Sequence, residues 1–161
     1  MARHEADRED ILREATALVE RAELTLSGRA EPIVVGFRRD GAASIFFGAD
    51  PVYQFNAAGQ LRRAYVGGRL IKAEQGRLIS LRRERRETEV ALWRHELTAE
   101  EEGVLLSQMQ ADLVRLGMAL ATGEFQLVGQ IPADQDVVGR VRAWLAELPA
   151  PIVIAPAPNV G

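Results

Sequence analysis

The feature that most constrains the fold is a series of turn signals at short intervals between residues 24 and 97. Asp40-Gly41 and Gly67-Gly68 are typical of two-residue hairpin turns, in which both central residues take positive φ. The segments 56–59 (NAAG) and 74–76 (EQG) predict further hairpin loops, the second one bulged, with its glycine in the left-handed region. Strands joined by such short loops are antiparallel, because parallel neighbours need a long crossover connection.

The segments between these turns are short and rich in β-branched and aromatic residues, as strands are. One connection differs, since residues 82–87 (RRERRE) contain no Gly, Pro, Asn or Asp. A helix over 82–97 is the alternative there, with Arg83–Glu87 and Arg85–Glu89 spaced as i,i+4 pairs. The β-branched and aromatic residues that follow favour two strands. We therefore predict an antiparallel β-meander of about seven or eight strands, forming a curved sheet or a partial barrel.

Helical patterns flank the predicted meander. Apolar residues recur at helical spacing near the N-terminus and predict a helix over 5–23. Thr98 and Glu101 have the spacing of a capping box, which starts a helix with one continuous apolar stripe and a cap at Gly123. A short strand over 124–131 follows, and a last helix comes after Pro132 and Asp134 and stops at Pro149.

These elements predict the α+β class, with the meander packed against one N-terminal helix and two C-terminal helices. The chain has 161 residues, of which 47% are hydrophobic, so one domain with a substantial core is expected over residues 1–148. Residues 149–161 contain four prolines. We expect them to form an extended or disordered tail that contributes little to folding.

The composition excludes several kinds of chemistry. The chain has no cysteine and only two histidines, His4 and His95, so no metal site is predicted. Neither of the common glycine-rich nucleotide-phosphate motifs occurs, and no cofactor is predicted. Residues 1–10 lack the apolar region of a signal peptide, and no apolar segment reaches the length of a membrane span. The expected protein is cytoplasmic and has no membrane partner.

An aromatic segment, 46–56 (FFGADPVYQFN), offers one candidate site. Tyr53 and Phe55 share one face of the predicted strand, and Gln54 lies on the other face. Burial in the core is the favoured interpretation of these aromatics. For His95, packing beside Trp93 is favoured over a role as a general acid or base. The alternative is a ligand pocket formed by Asp50, Tyr53, Gln54, Trp93 and His95.

Arginine doublets offer a second candidate site. The net charge is −3, but residues 29–97 hold 13 Arg and Lys against 8 Asp and Glu. The guanidinium group suits phosphate and carboxylate, so the candidates for anion binding are Arg62, Arg63, Arg82, Arg83, Arg85 and Arg86. Surface pairing with nearby acids is the favoured alternative. The last four arginines are predicted to lie at an exposed hairpin tip, because no apolar residue occurs between Leu81 and Val90.

Three functional hypotheses remain. The first is a non-catalytic intracellular binding or accessory module, whose arginine-rich surface takes an acidic protein, a phosphate-bearing ligand or nucleic acid. The second is a small-ligand-binding or enzymatic module with a pocket near Tyr53, Gln54 and His95. The third is an assembly protein that forms homo-oligomers through its tail or a sheet edge. The lack of any standard catalytic motif favours the first, and no catalytic residue is assigned.

Overall fold

The computed structural model describes residues 13–86, 89–131 and 136–156, with the description of 83–86 and 90 confined to the backbone. It confirms the α+β class and the antiparallel meander. The strands are β1 (Glu20–Leu26), β2 (Ile33–Phe37), β3 (Ala43–Phe47), β4 (Val52–Phe55), β5 (Leu61–Val66), β6 (Arg69–Glu74), β7 (Arg77–Arg86), β8 (Glu89–Glu96) and β9 (Phe125–Ile131). The α-helices are α1 (Ala99–Thr122) and α2 (Val137–Glu147).

All nine strands belong to one antiparallel sheet in the order β8-β7-β6-β5-β4-β3-β2-β1-β9. The meander accounts for eight of them, β1 to β8, and the strand predicted over 124–131 is β9, which pairs with the outer side of β1. No turn signal links β9 to the meander, since the whole of α1 separates it from β8. The sheet ends at β8 and β9, and these two strands do not pair with each other over the residues described.

The predicted N-terminal helix over 5–23 is wrong in its second half, and residues 5–12 lie outside the described ranges. A short 3₁₀ helix, Glu14–Ala17, is followed by β1 from Glu20 onward. Ala22 and Leu24 are both fully buried against the core, two positions apart. This period of two places both side chains on one face of a strand, and pairing with β2 and β9 outweighs the helical spacing.

The turns confirm the hairpins and correct their details. Gly67 and Gly68 both have positive φ, as the two-residue turn requires. At the β2–β3 connection only Gly41 does, and the backbone N–H of Arg38 bonds the carbonyl of Ala42, so three residues form the loop. At the β6–β7 connection, residues 75 and 76 both have positive φ, and Glu74 pairs directly with Arg77. That turn is therefore a two-residue turn without a bulge.

The core lies between one face of the sheet and the helices. Strand residues from β1 to β7 form it together with the apolar stripe of α1, which is Leu105, Met109, Leu113, Leu116 and Leu120. The predicted capping box of Thr98 and Glu101 is confirmed, and Gly123 caps α1 in the left-handed conformation. Helix α2 starts at an Asp136 cap. Its Trp144 packs edge-on against Phe37 and Phe55.

A second, smaller cluster lies on the other face of the sheet. Leu18 packs there with Phe46, Val52 and Tyr65, while Ala15 contacts the cluster from the 3₁₀ helix. The segment before β1 therefore crosses the back of β3, β4 and β5.

Residues 152–155 of the C-terminal segment contact the sheet at β5. The N–H of Leu61 donates to the carbonyl of Val153 at 2.7 Å, and its carbonyl accepts from Ala155 at 2.8 Å, which gives a parallel bridge with Ile154. Ile152 and Ala155 are buried. The division of the chain at residue 148 stays a prediction, but these contacts were not expected from the sequence.

Candidate functional site

Tyr53 is a core residue that joins the sheet to a helix. Its ring is fully buried, and its hydroxyl donates to Asp112 of α1 at 2.7 Å. Burial raises the pKa of Tyr53 well above its ordinary value, and the hydrogen bond to Asp112 raises it further. The phenol therefore stays protonated at neutral pH and acts as a fixed donor.

Gln54 faces the opposite side of the sheet from Tyr53. It is only 2% exposed. Its amide nitrogen donates to Glu14 at 2.7 Å, and its amide oxygen accepts from Nε of Arg63 at 2.6 Å. Arg63 also forms an ion pair with Glu14. This network fixes the segment before β1 to the back of the sheet.

Asp50 supports a turn. Its two carboxylate oxygens accept the backbone N–H groups of Gly67 at 3.0 Å and Gly68 at 2.9 Å. A tight turn leaves these N–H groups without partners in the ladder, so the carboxylate satisfies both. The side chain thus connects the β3–β4 loop to the β5–β6 turn.

Trp93 and His95 lie on β8, far from β4 in strand order. The alternation of β8 places both on the same face, as predicted. Trp93 is exposed, and Nε2 of His95 lies 3.2 Å from Glu101 at the start of α1. The hydrogen bond from the Thr98 backbone, followed by the one from His95, lowers the pKa of Glu101.

The five pocket candidates are therefore not brought together. Tyr53 and Gln54 lie on opposite faces of β4, and three strands separate β4 from β8. Four of the candidates also have separate hydrogen-bond partners, namely Asp50, Tyr53, Gln54 and His95.

The six candidate arginines are also divided. Arg62 and Arg63 lie on β5, and the other four lie on β7, where the strand continues past its last pair with β6 at Leu81. Beyond that point, the described residues 82–86 of β7 pair with 89–93 of β8 and with no other strand. Arg82 is exposed; the side chains of Arg83, Arg85 and Arg86, and hence the predicted tip, lie outside the description.

Arg62 has the most unusual surroundings. The register between β4 and β5 shifts so that Leu61 faces Phe55 and Arg63 faces Gln54, which leaves Arg62 as the extra residue of a bulge. Its side chain is partly buried. Two of its guanidinium nitrogens, Nε and Nη2, are buried and have no hydrogen-bond partner among the described residues.

The electrostatics around Arg62 are weakly compensated. Burial lowers the pKa of Arg62, and the neighbouring charge of Arg63 lowers it further, while Glu14 opposes these effects. Two other charges have smaller effects: Arg38 lowers the pKa of Arg62, and Asp40 raises it. Sequence reasoning missed Glu14, because only the fold brings residues 14 and 62 together.

Arg29 resembles Arg62 in having a buried nitrogen without a partner, but its guanidinium has other contacts. Nε of Arg29 is also buried without a partner, but its Nη2 donates to the carbonyl of Phe47 at 2.9 Å. The Arg29 guanidinium also lies over the Phe47 ring, 5.4 Å from its centre. Arg29 thus has a defined packing role, whereas the buried edge of Arg62 has none.

An apolar groove of about 500 Å³ lies between the two α-helices and was not predicted. Its size falls in the range of small-molecule sites. Gln110 and Arg142 are its polar side chains, and the rest of the lining is Leu113, Val114, Gly117, Met118, Ala121, Leu145, Ala146, Leu148, Pro149, Ala150 and Ile152. None of the site candidates proposed from the sequence lines this groove.

Two features are absent from the described parts of the chain. Over those residues, no group of three or more His, Asp or Glu side chains is placed to hold a metal ion. Neither α1 nor α2, the helices of that same part, is long and apolar enough to cross a membrane. Comparison with protein-family models, curated proteins and solved structures gives no match.

Proposed function

We propose that this chain is a non-catalytic binding module that takes up a carboxylate of an acidic protein segment at Arg62. The observation that carries the proposal is the pair of buried guanidinium N–H groups, on Nε and Nη2, for which the described part of the chain supplies no partner. These two nitrogens form one edge of the guanidinium plane, the edge that can hold both oxygens of a carboxylate. Leaving a buried donor unpaired costs about 1–3 kcal/mol, which a bound carboxylate offsets.

The local charges support the same ligand class. The carboxylate of Glu14 is already shared between Arg63 and Gln54, and that of Asp40 accepts the N–H of Ala42. Both carboxylates act on Arg62 through their charge, but neither accepts a hydrogen bond from its Nε or Nη2. Arg62 is partly rather than wholly buried, and the proposal requires its long side chain to rotate so that the unpaired edge meets the partner.

An acidic protein segment suits this site better than nucleic acid does. Binding along a phosphate backbone needs an extended basic surface. The net charge here is −3, and several arginines are engaged in ion pairs: Arg63 with Glu14, Arg77 with Glu96, Arg94 with Glu74 and Arg140 with Glu20. One desolvated guanidinium edge fits one carboxylate.

The candidate acid–base groups support a non-catalytic role. Tyr53 is held by Asp112, Asp50 by a turn and His95 by Glu101. In each case the hydrogen bond holds the side chain in a structural contact.

The test is the binding of a fluorescein-labelled peptide of glutamates, followed by fluorescence anisotropy. Arg62→Gln removes the charge, and loss of one charge-assisted hydrogen bond predicts about tenfold weaker binding or more. Arg115→Gln is the matched control, because Arg115 is an exposed arginine on α1. The control is expected to change binding less than about twofold.

Three outcomes oppose the proposal. Undetectable binding to the wild-type chain refutes it, and so does an equal loss in both variants, which indicates general charge attraction. Tighter binding to single-stranded DNA than to the peptide, with a steep salt dependence, assigns the surface to nucleic acid. A thermal melt of each variant shows whether the fold is kept. Arg62→Gln should melt no lower than the wild type, because it removes unpaired buried donors.

A further inference from the structure

The β9 strand lies at one end of the sheet, and its own sequence lacks the usual protection of an edge strand. Its sequence, FQLVGQI, contains no charged residue and no proline. Leu127, Val128 and Ile131 are 50%, 59% and 50% exposed. Soluble proteins protect edge strands with charges, prolines or covering segments, because an open edge is a template for another strand.

The other end of the sheet carries such protection. Glu89, Arg94, His95 and Glu96 occur within β8. Two of them pair with inner strands, Arg94 with Glu74 and Glu96 with Arg77. Charged residues therefore lie on both sides of the exposed Leu92 and Trp93, whereas β9 contains none.

The ladder between β9 and β1 contains a bulge. Gly129 faces Glu23 and Leu127 faces Leu24, so Val128 is a bulge residue that pairs with nothing on β1. A bulge shortens the stretch that a new strand can follow. The apolar side chains of Leu127 and Val128 must then provide much of any contact made at this edge.

We propose that the β9 edge is the interface of a homodimer, in which β9 pairs antiparallel with β9 of a second copy about a two-fold axis beside Val128. An antiparallel edge is complementary to itself under such an axis. Because β9 carries no charge, a second copy meets no like charge there. The axis places Val128 opposite Val128 of the second copy, and Leu127 opposite Gly129 of the second copy. Gly129 has no side chain, and a Cβ at that position would have no other atom within 4 Å.

The first experiment is sedimentation equilibrium across roughly 1 to 300 μM chain, a range that resolves weak dimers. The wild type is expected to approach twice the chain mass of 17.7 kDa. Val128→Lys places a charge on the edge and should stay at the monomer mass. Leu92→Lys is the matched control on β8, where the exposed fraction of 54% is similar, and it should leave the dimer intact.

A second variant keeps the proposal testable if Val128→Lys does not fold. The chain has no cysteine, so Val128→Cys introduces a single thiol. Under mild oxidation it should cross-link to its own copy at concentrations where Leu92→Cys does not. A monomeric wild type over the whole range overturns the proposal, and so does a dimer that only the Leu92 variants disrupt or cross-link.

Discussion

The hydroxyl of Tyr53 and the carboxylate of Asp112 form a 2.7 Å hydrogen bond that ties the middle of the sheet to the middle of the longest helix. The two residues are 59 positions apart in the chain. Because the phenol ring is buried and its one donor is used, Tyr53 contributes to stability instead of to proton transfer.

Tyr53→Phe should therefore destabilise the protein at neutral pH. The variant keeps the ring but removes the donor from a partly buried carboxylate, which predicts a loss of about 1–3 kcal/mol in the free energy of unfolding. Urea denaturation at pH 7 measures it. Asp112→Asn keeps an acceptor oxygen and should cost less; the reverse ranking contradicts this role for Tyr53.

The same residue predicts a pH dependence on the alkaline side. The folded pKa of Tyr53 lies above its ordinary value of 10.0, so above that pH the unfolded chain loses a proton that the folded chain keeps. Stability should fall as pH rises past 10, by at most about 1.4 kcal/mol per pH unit from this group. Tyr53→Phe should show a shallower fall than the wild type between pH 9 and roughly 11.

The capping box at α1 gives a local prediction. Thr98→Ala removes the side chain that accepts the N–H of Glu101, which should cost about 1 kcal/mol. Thr98→Ser keeps the hydroxyl and should cost only a fraction of that. Chemical denaturation of both variants separates the cap from any other effect of Thr98, since equal losses would point to the lost methyl group.

Asp50 gives a prediction about the turns. Asp50→Ala leaves the N–H groups of Gly67 and Gly68 to water, and because the site is exposed we expect a loss of only about 1 kcal/mol. Asp50→Asn keeps one acceptor oxygen and should fall between Ala and the wild type. A greater loss in Asn than in Ala would mean that the turn does not depend on these bonds.

The C-terminal segment gives the largest predicted effect on stability. Truncation after Leu148 removes the buried Ile152 and Ala155 and the hydrogen bonds to Leu61, which predicts a loss of about 2–4 kcal/mol. The Tm should fall by roughly 10 °C. Truncation after Pro156 keeps all of the described contacts and is the matched control. An unchanged Tm for the shorter chain would restore the expectation drawn from the sequence.

The features that the sequence predicted well depend on neighbours along the chain. Gly67-Gly68 specifies its turn through the φ that both residues adopt, and Thr98 with Glu101 specifies a helix start through their spacing. The core assignment of Tyr53 and Phe55 rested on alternation within one strand and is confirmed.

The features that it missed depend on residues distant in the chain. The sequence around Arg62 contains no sign of the bulge, because the bulge is defined by the register with β4. The position of β9 next to β1 and the contact of residues 153–155 with Leu61 are set by tertiary packing. Arg62 was therefore a candidate because of its residue type alone. That its Nε and Nη2 are buried without a partner among the described residues follows only from the fold.

The bridge between Leu61 and Ile154 also bears on the order in which the molecule can fold. Strands β1 to β8 join through short connections, so they can pair in succession as they leave the ribosome. The partners of Leu61 and the strand β9 follow β8 in the chain, so they are synthesised after strands β1 to β8. The centre and one end of the sheet thus stay incomplete while β1 to β8 emerge, and a chain stalled at that point would expose both.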